Sequence, residues 1–178
     1  LAIKLTDLYR RYERYFTPET QALMRASRGG IFEFPGLRKT LTTEESKKIN
    51  EAPAPKIVIA GSGMSHGGRI LHHEKRYLPD KRSTLLVIGY QAAGSLGRQI
   101  LDGATSVRIL GEPVAVNCRV VSIPSYSAHA DQPQLMAWLE PLRKNLKHLF
   151  VVQGEPAASQ ALAQRALDEL AIETSVPV

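Results

Sequence analysis

Apolar residues at Leu1, Leu5, Leu8, Tyr12 and Tyr15 recur at the helical period, with Lys4, Arg10, Arg11 and Arg14 on other faces, so the chain opens with a predicted amphipathic helix. Thr17 and Pro18 then restart a helix as cap and first-turn residue, and that helix is expected to end near Gly29 and Gly30. Residues 32–41, with Pro35 and Gly36, read as irregular or edge backbone. Residues 43–48 read as a short capped helix, closed by Pro53 and Pro55. From Lys56 the pattern becomes short apolar runs, glycine-rich turns and helical periodicity in alternation, which predicts parallel strands joined by helices. Residues 57–60 are the first expected strand, followed by a helix over about 67–77. Residues 85–88 are the second, leading through a glycine-rich turn into a helix ending at Asp102 and Gly103. Residues 107–110 and 114–123 read as an antiparallel hairpin joined at 111–113, because Val114, Val116, Cys118 and Val120 alternate with polar or smaller neighbours. Asp131 caps an expected helix through Leu135, Met136, Trp138 and Leu139. Residues 149–152 then form a strand and 156–170 a helix.

At 178 residues and 43% apolar content, the chain can bury a core and is no disordered tail. No apolar run approaches the roughly 20 residues that span a bilayer, so no membrane partner is expected. A single cysteine, Cys118, excludes an internal disulfide and suits a reducing cytoplasm. The 23 Lys and Arg against 17 Asp and Glu give +6, a balance that attracts polyanions such as nucleic acid and equally describes an ordinary basic protein. The opening Leu1-Ala2-Ile3, without methionine or a secretion signal, suggests a piece of a longer protein.

Two places carry candidate chemistry. The loop Gly61, Ser62, Gly63, Met64, Ser65, His66, Gly67, Gly68, Arg69 lies between an expected strand and helix, where backbone N–H groups and the helix dipole favour an anion. It is neither a P-loop nor a dinucleotide fingerprint, and two readings stand: a phosphate cradle, or glycines that only permit a tight turn. Arg69 either bonds phosphate or is solvated. His72 and His73, about 100° apart on a helix, cannot both face one metal. His66 is a phosphate contact or a surface residue, and His148 a structural or exposed one. His129 stands in a hydroxyl-rich turn with Ser125, Tyr126 and Ser127, where an imidazole can be aimed at an oxyanion.

Together these segments resemble the β-CASP branch of the metallo-β-lactamase superfamily, zinc-dependent ribonucleases of the RNase J and mRNA 3′-end endonuclease kind. The resemblance rests on residues 1–6, the 59–70 strand-loop-helix, the 89–97 turn with Gln91, the Ser127-Ala128-His129-Ala130-Asp131 motif and the 151–156 segment with Gln153. It implies an α/β fold with a mainly parallel sheet flanked by helices, plus a hairpin. Residues 1–110 would be a β-CASP domain lacking its N-terminal part, and 111–178 the returning end of the metallo-β-lactamase domain. It further implies RNA as partner, with the missing N-terminal metallo-β-lactamase part as another. His129 would protonate or orient the leaving oxygen; Ser62, Gly63, Met64, Gly67, Gly68, Arg69 and Ser127 would hold phosphate. Zinc is implied for the full-length parent. None is expected in this piece, since the family's His-x-His-x-Asp-His cluster would precede Leu1 and Gln153 stands where a zinc-binding histidine is usual. The piece alone is therefore expected to be inactive. Two alternatives stay open: a non-catalytic RNA-binding scaffold of the same fold, and a freestanding nucleotide-binding α/β protein.

Overall fold

The computed structural model describes residues 2–26 and 30–177. Contacts divide the chain into two compact units, Leu1–Ile123 and Pro124–Val178, each with its own core. The expected roles of Leu1 in the first helix and of Gly29 at the end of the second lie outside the described residues.

The first unit begins with α1 (Ala2–Arg11), a 3-10 turn at Glu13–Tyr15, and α2 (Pro18–Ala26). Thr17 caps α2 as expected, its hydroxyl accepting the Thr20 N–H at 3.3 Å. No residue of α1 is buried, and Leu5, Leu8, Tyr9 and Tyr12 stay 44–56% exposed. Next comes α3 (Thr43–Lys48), which starts where its capping box dictates: Glu45 N–H donates to Thr42 Oγ1 at 3.1 Å, and Thr42 N–H to Glu45 Oε2 at 3.1 Å. Lys56 Nζ donates to the carbonyls of Ile49 and Ala52, both at 2.8 Å, closing the turn that follows.

The α/β part holds α4 (Ile70–Tyr77), β1 (Thr84–Ile88), α5 (Leu96–Leu101), β2 (Ser106–Ile109), β3 (Glu112–Ala115) and β4 (Arg119–Ile123). β1 and β4 pair in parallel, Leu85 opposite Val120 and Val87 opposite Ser122. Leu78, Ile100, Val107, Ile109 and Val114 form the buried core, covered by Leu71, Leu85, Leu96 and Val120 among others.

Three sequence expectations change here. Residues 57–60 form no strand: Ile57 and Ile59 are 92% and 81% exposed, and among the described residues β1 pairs only with β4. An apolar run meets only half the requirement for a strand, because the ladder partner is a non-local matter. The hairpin exists, but its turn is Leu110-Gly111, with φ of 51° and 84°, rather than residues 111–113. Positive φ at both central positions is what a tight two-residue hairpin needs. Its second arm also breaks after Ala115. The N–H groups of Asn117 and Cys118 both turn to the Leu78 carbonyl, at 2.8 and 2.9 Å, so the chain leaves β3 and re-enters as β4 beside β1.

The second unit holds α6 (Gln132–Leu139), β5 (Leu149–Phe150), α7 (Pro156–Leu170) and β6 (Thr174–Ser175). Asp131 caps α6 in a box with Gln134, both bonds 2.9 Å. β5 is shorter than the expected 149–152, though Val151 N–H still reaches the Ser175 carbonyl at 2.9 Å. Its parallel partner β6 escaped sequence reading because two residues carry no periodicity. Met136, Leu139, Ala166 and Ile172 form this unit's core.

Two of the three described sheets are parallel and helices alternate with them, the expected α/β class. Ile109 is 1% exposed at the centre of the first core. Ile109→Ala should lower that unit's stability by about 2–5 kcal/mol, read as a drop in urea midpoint at unchanged m-value.

Candidate functional site

The 61–69 loop folds into a closed ring. Ser62 N–H donates to the Gly67 carbonyl at 3.2 Å, Ser65 N–H to the Ser62 carbonyl at 3.2 Å, and Ile70 N–H returns to Gly61 at 3.3 Å. His66 N–H donates to Ser62 Oγ at 3.3 Å, leaving the histidine side chain exposed. Gly68 is required twice over: its φ is +81°, and a Cβ there would lie 2.9 Å from the Gly61 carbonyl oxygen.

The ring is clamped from the neighbouring loop. Gln91, only 3% exposed, donates Nε2–H to the carbonyls of Gly63 at 2.9 Å and Tyr90 at 3.1 Å. Gly97 N–H donates to the Met64 carbonyl at 3.3 Å, and a Cβ on Gly97 would lie 2.0 Å from Gln91 Oε1. Ser95, buried and capping α5 through the Arg98 N–H at 3.1 Å, fixes the start of this second arm. In a trans peptide the C=O of one residue and the N–H of the next point in opposite directions. Anchoring the Gly63 carbonyl on Gln91 therefore aims the Met64 N–H away from the protein, and anchoring the Gly67 carbonyl on Ser62 does the same for Gly68 N–H. Among the described residues the N–H groups of Gly63, Met64, Gly67 and Gly68 have no protein acceptor. Gln91 received no role from the sequence. Its signal was a lone amide inside a glycine-rich turn.

Beneath the ring sits a buried acid. Glu74, 4% exposed, accepts a hydrogen bond from Ser65 Oγ through Oε1, while its Oε2 has no partner. Burial pushes its carboxyl above the ordinary value of 4.5, and the Ser65 hydroxyl pulls it partly back. The adjacent His73, 6% exposed, has Nε2 3.3 Å from Ser46 Oγ; burial lowers its pKa, with the charges of His72 and Lys56 adding to the effect. His72 is exposed. A glutamate among His, Lys and Arg reads as a solvated face, so no sequence signal marked Glu74. Arg69 turns its guanidinium to the carbonyls of Thr40 at 2.9 Å and Leu41 at 2.8 Å, tying the ring to the preceding segment.

In the second unit, Ser127 and His129 form a small exposed pair. Ser127 Oγ accepts the His129 N–H at 3.2 Å and lies 3.3 Å from its Nδ1. Which ring nitrogen carries the proton decides whether that hydroxyl donates to Nδ1 or accepts from it. Gln153 follows β5 with φ of 67°, exposed, and a Cβ on Gly154 would lie 2.3 Å from Ser159 Oγ. His148 instead contacts Ser175 Oγ through Nε2 at 3.0 Å. Zinc takes thiolate, imidazole and carboxylate ligands. Among the described residues no three of His, Cys, Asp and Glu converge on one point, Gln153 offers an amide, and His129 Nδ1 faces a hydroxyl. These residues by themselves do not fit a zinc ion.

Comparison with known proteins gives two domain families in succession. Residues 1–100 match the Beta-Casp domain, and residues 113–177 match the Zn-dependent metallo-hydrolase RNA specificity domain. Ribonuclease TTHA0252 of Thermus thermophilus is 44% identical over 164 residues, covering 92% of this chain and 37% of the relative. Transcription termination factor FttA of Pyrococcus abyssi is 32% identical over 140 residues, 76% of this chain and 22% of that protein. FttA of Thermococcus kodakarensis is 28% identical over 177 residues, 97% and 27%. The chain thus spans between a fifth and two fifths of the length of these relatives.

The clamp and the buried acid each make a prediction. Gly97→Ala drives a methyl into Gln91 Oε1, so it should cost about 1–3 kcal/mol in denaturant unfolding. Glu74 holds its proton more tightly folded than unfolded, so the stability it contributes is full below pH 4.5 and is lost as pH rises through the higher folded value. Glu74→Gln, which keeps a partner for Ser65 without the charge, should therefore match the native protein near pH 4 and exceed it in stability at pH 7. Parallel pH profiles from urea titrations would contradict this.

Proposed function

This chain belongs to the β-CASP family of metallo-β-lactamase-fold proteins, and on that footing we propose that it is the RNA-holding portion of a ribonuclease acting on RNA phosphodiester bonds. In this reading residues 1–110 are β-CASP domain and 111–178 the returning metallo-β-lactamase segment, and the order of the two family matches supports it. The observation that carries it is the clamped ring: four backbone N–H groups have no protein acceptor among the described residues, and two of them, those of Met64 and Gly68, lie opposite carbonyls anchored by Gln91 and Ser62, which makes the ring a ready anion site. Gly63, Met64, Gly67 and Gly68 supply those donors to a phosphate. Ser62 adds its hydroxyl, and Arg69 the donors of its fork not spent on Thr40 and Leu41. Ser127 orients His129, whose Nε2 bonds a phosphate oxygen or, protonated, gives its proton to the leaving oxygen.

Metal chemistry belongs to the full-length protein in this proposal, since the ligands present here do not assemble a zinc site, and no step is routed through one. One observation favours a second reading. Gln153 supplies an amide where the resemblance places a zinc-binding imidazole, which supports a non-catalytic RNA-binding scaffold of the same fold.

Both readings share RNA binding and differ in cleavage. Fluorescence anisotropy with a single-stranded RNA should show affinity falling steeply with salt, by about 0.7 in log–log slope per phosphate contacted. In the full-length protein, His129→Ala should reduce cleavage by about 100-fold or more while changing RNA affinity less than twofold. RNA binding without cleavage by the native protein selects the scaffold. Absence of salt-dependent binding overturns both.

A further inference from the structure

The start of the chain carries a surface that the phosphate ring does not account for. Tyr9, Tyr12 and Tyr15 follow at three-residue steps through α1 and the turn after it, and they are 56%, 50% and 74% exposed. With Leu5, Leu8 and Phe16 they line an open groove of about 320 Å³, at the small end of ligand-pocket sizes. One wall is an aromatic cluster: Tyr9 stands 5.8 Å from Phe16 and stacks on Phe32 at 6.3 Å and 27°. The other is a pair of rings, Tyr12 and Tyr15, 6.1 Å apart, with the Arg14 guanidinium 4.9 Å above Tyr15 and donating to its hydroxyl at 3.2 Å.

Charge and ring shape together identify the occupant. Arg10 and Arg25 are paired with Glu33 and Glu13. Lys4, Arg11 and Arg14 are exposed, and among the described residues no carboxylate lies within 4 Å of them. A flat aromatic face beside cations that hold no carboxylate suits a ligand that is itself flat and apolar in one part and anionic in the next. An acidic peptide satisfies the cations but offers the rings no face to stack on. An apolar helix covers the rings and strands the cations. A nucleotide does both.

We propose that this groove is a stacking site for unpaired bases of single-stranded RNA, with Tyr12 and Tyr15 as the platform and Arg11 and Arg14 on the flanking phosphates. It rests on RNA being the ligand, as above, and adds where on this chain its bases are held.

The test uses a 12-nucleotide single-stranded RNA carrying 2-aminopurine, a duplex of the same sequence, and a base-free ribose-phosphate oligomer of equal length. Tyr12→Leu with Tyr15→Leu keeps apolar volume and helix propensity while removing the π faces. Affinity for the single strand should fall about tenfold or more, the quenching of 2-aminopurine should disappear, and affinity for the base-free oligomer should stay within twofold. Tyr15→Leu alone, at the most exposed ring, should show the same direction and guards against a folding defect in the double variant. Unchanged single-strand affinity and quenching in the variants overturn the stacking site while leaving RNA binding intact. A change in oligomeric state without a change in RNA affinity also overturns it, because the groove is then a protein contact. If the native protein binds none of the three ligands, the RNA reading itself falls, and this site with it.

Discussion

A buried primary amide is costly unless its polar atoms are satisfied, and Gln91 spends its donors on two backbone carbonyls of separate loops. That commitment fixes the face each loop shows to solvent. The Gly63 carbonyl is drawn inward, so its peptide partner points out; Gly97 must lack a side chain, since the amide oxygen occupies the space; and α5 begins where Ser95 caps it, one residue after Gly94. Oε1 itself has no partner, a local cost of about 1–3 kcal/mol that an apolar residue would avoid. An apolar residue would also release the Gly63 carbonyl, and with it the orientation of the ring.

What sequence reading recovered follows the range of the forces involved. The short helix over 43–48, the Asp131 cap, the Thr17-Pro18 helix start and the long α7 are local, and they appear where the pattern puts them. A tight turn was one of the two readings the 61–69 glycines allowed, and the Gly68 approach to Gly61 that requires it spans only seven residues. Misreadings fall where a partner is distant. Residues 57–60 have the composition of a strand and no ladder, residues 114–123 are split by the pull of the Leu78 carbonyl, and β6 is defined solely by β5. Gln91 and Glu74 were missed for the same reason: an amide or carboxylate earns its role from what covers it, which neither periodicity nor spacing records.

The region under the ring is a second constraint, electrostatic rather than geometric. Glu74 and His73 are sequence neighbours whose burial favours the neutral form of each, raising one pKa and lowering the other. The helix thus turns two groups whose charged forms burial disfavours inward to Ser65 and Ser46, while Lys75 reaches out to Glu112 at 2.7 Å. An anion approaching the ring from outside meets no buried negative charge behind it when Glu74 is protonated.

The left-handed backbone at Gln153 bears on how this protein can change over generations. Positive φ excludes β-branched residues in practice, whereas histidine is among the types enriched there. Glutamine and histidine codons differ only in their third base. The imidazole that the resemblance expects is therefore one nucleotide away and asks nothing new of the main chain. A single point mutation therefore exchanges amide and imidazole at a backbone conformation that admits both.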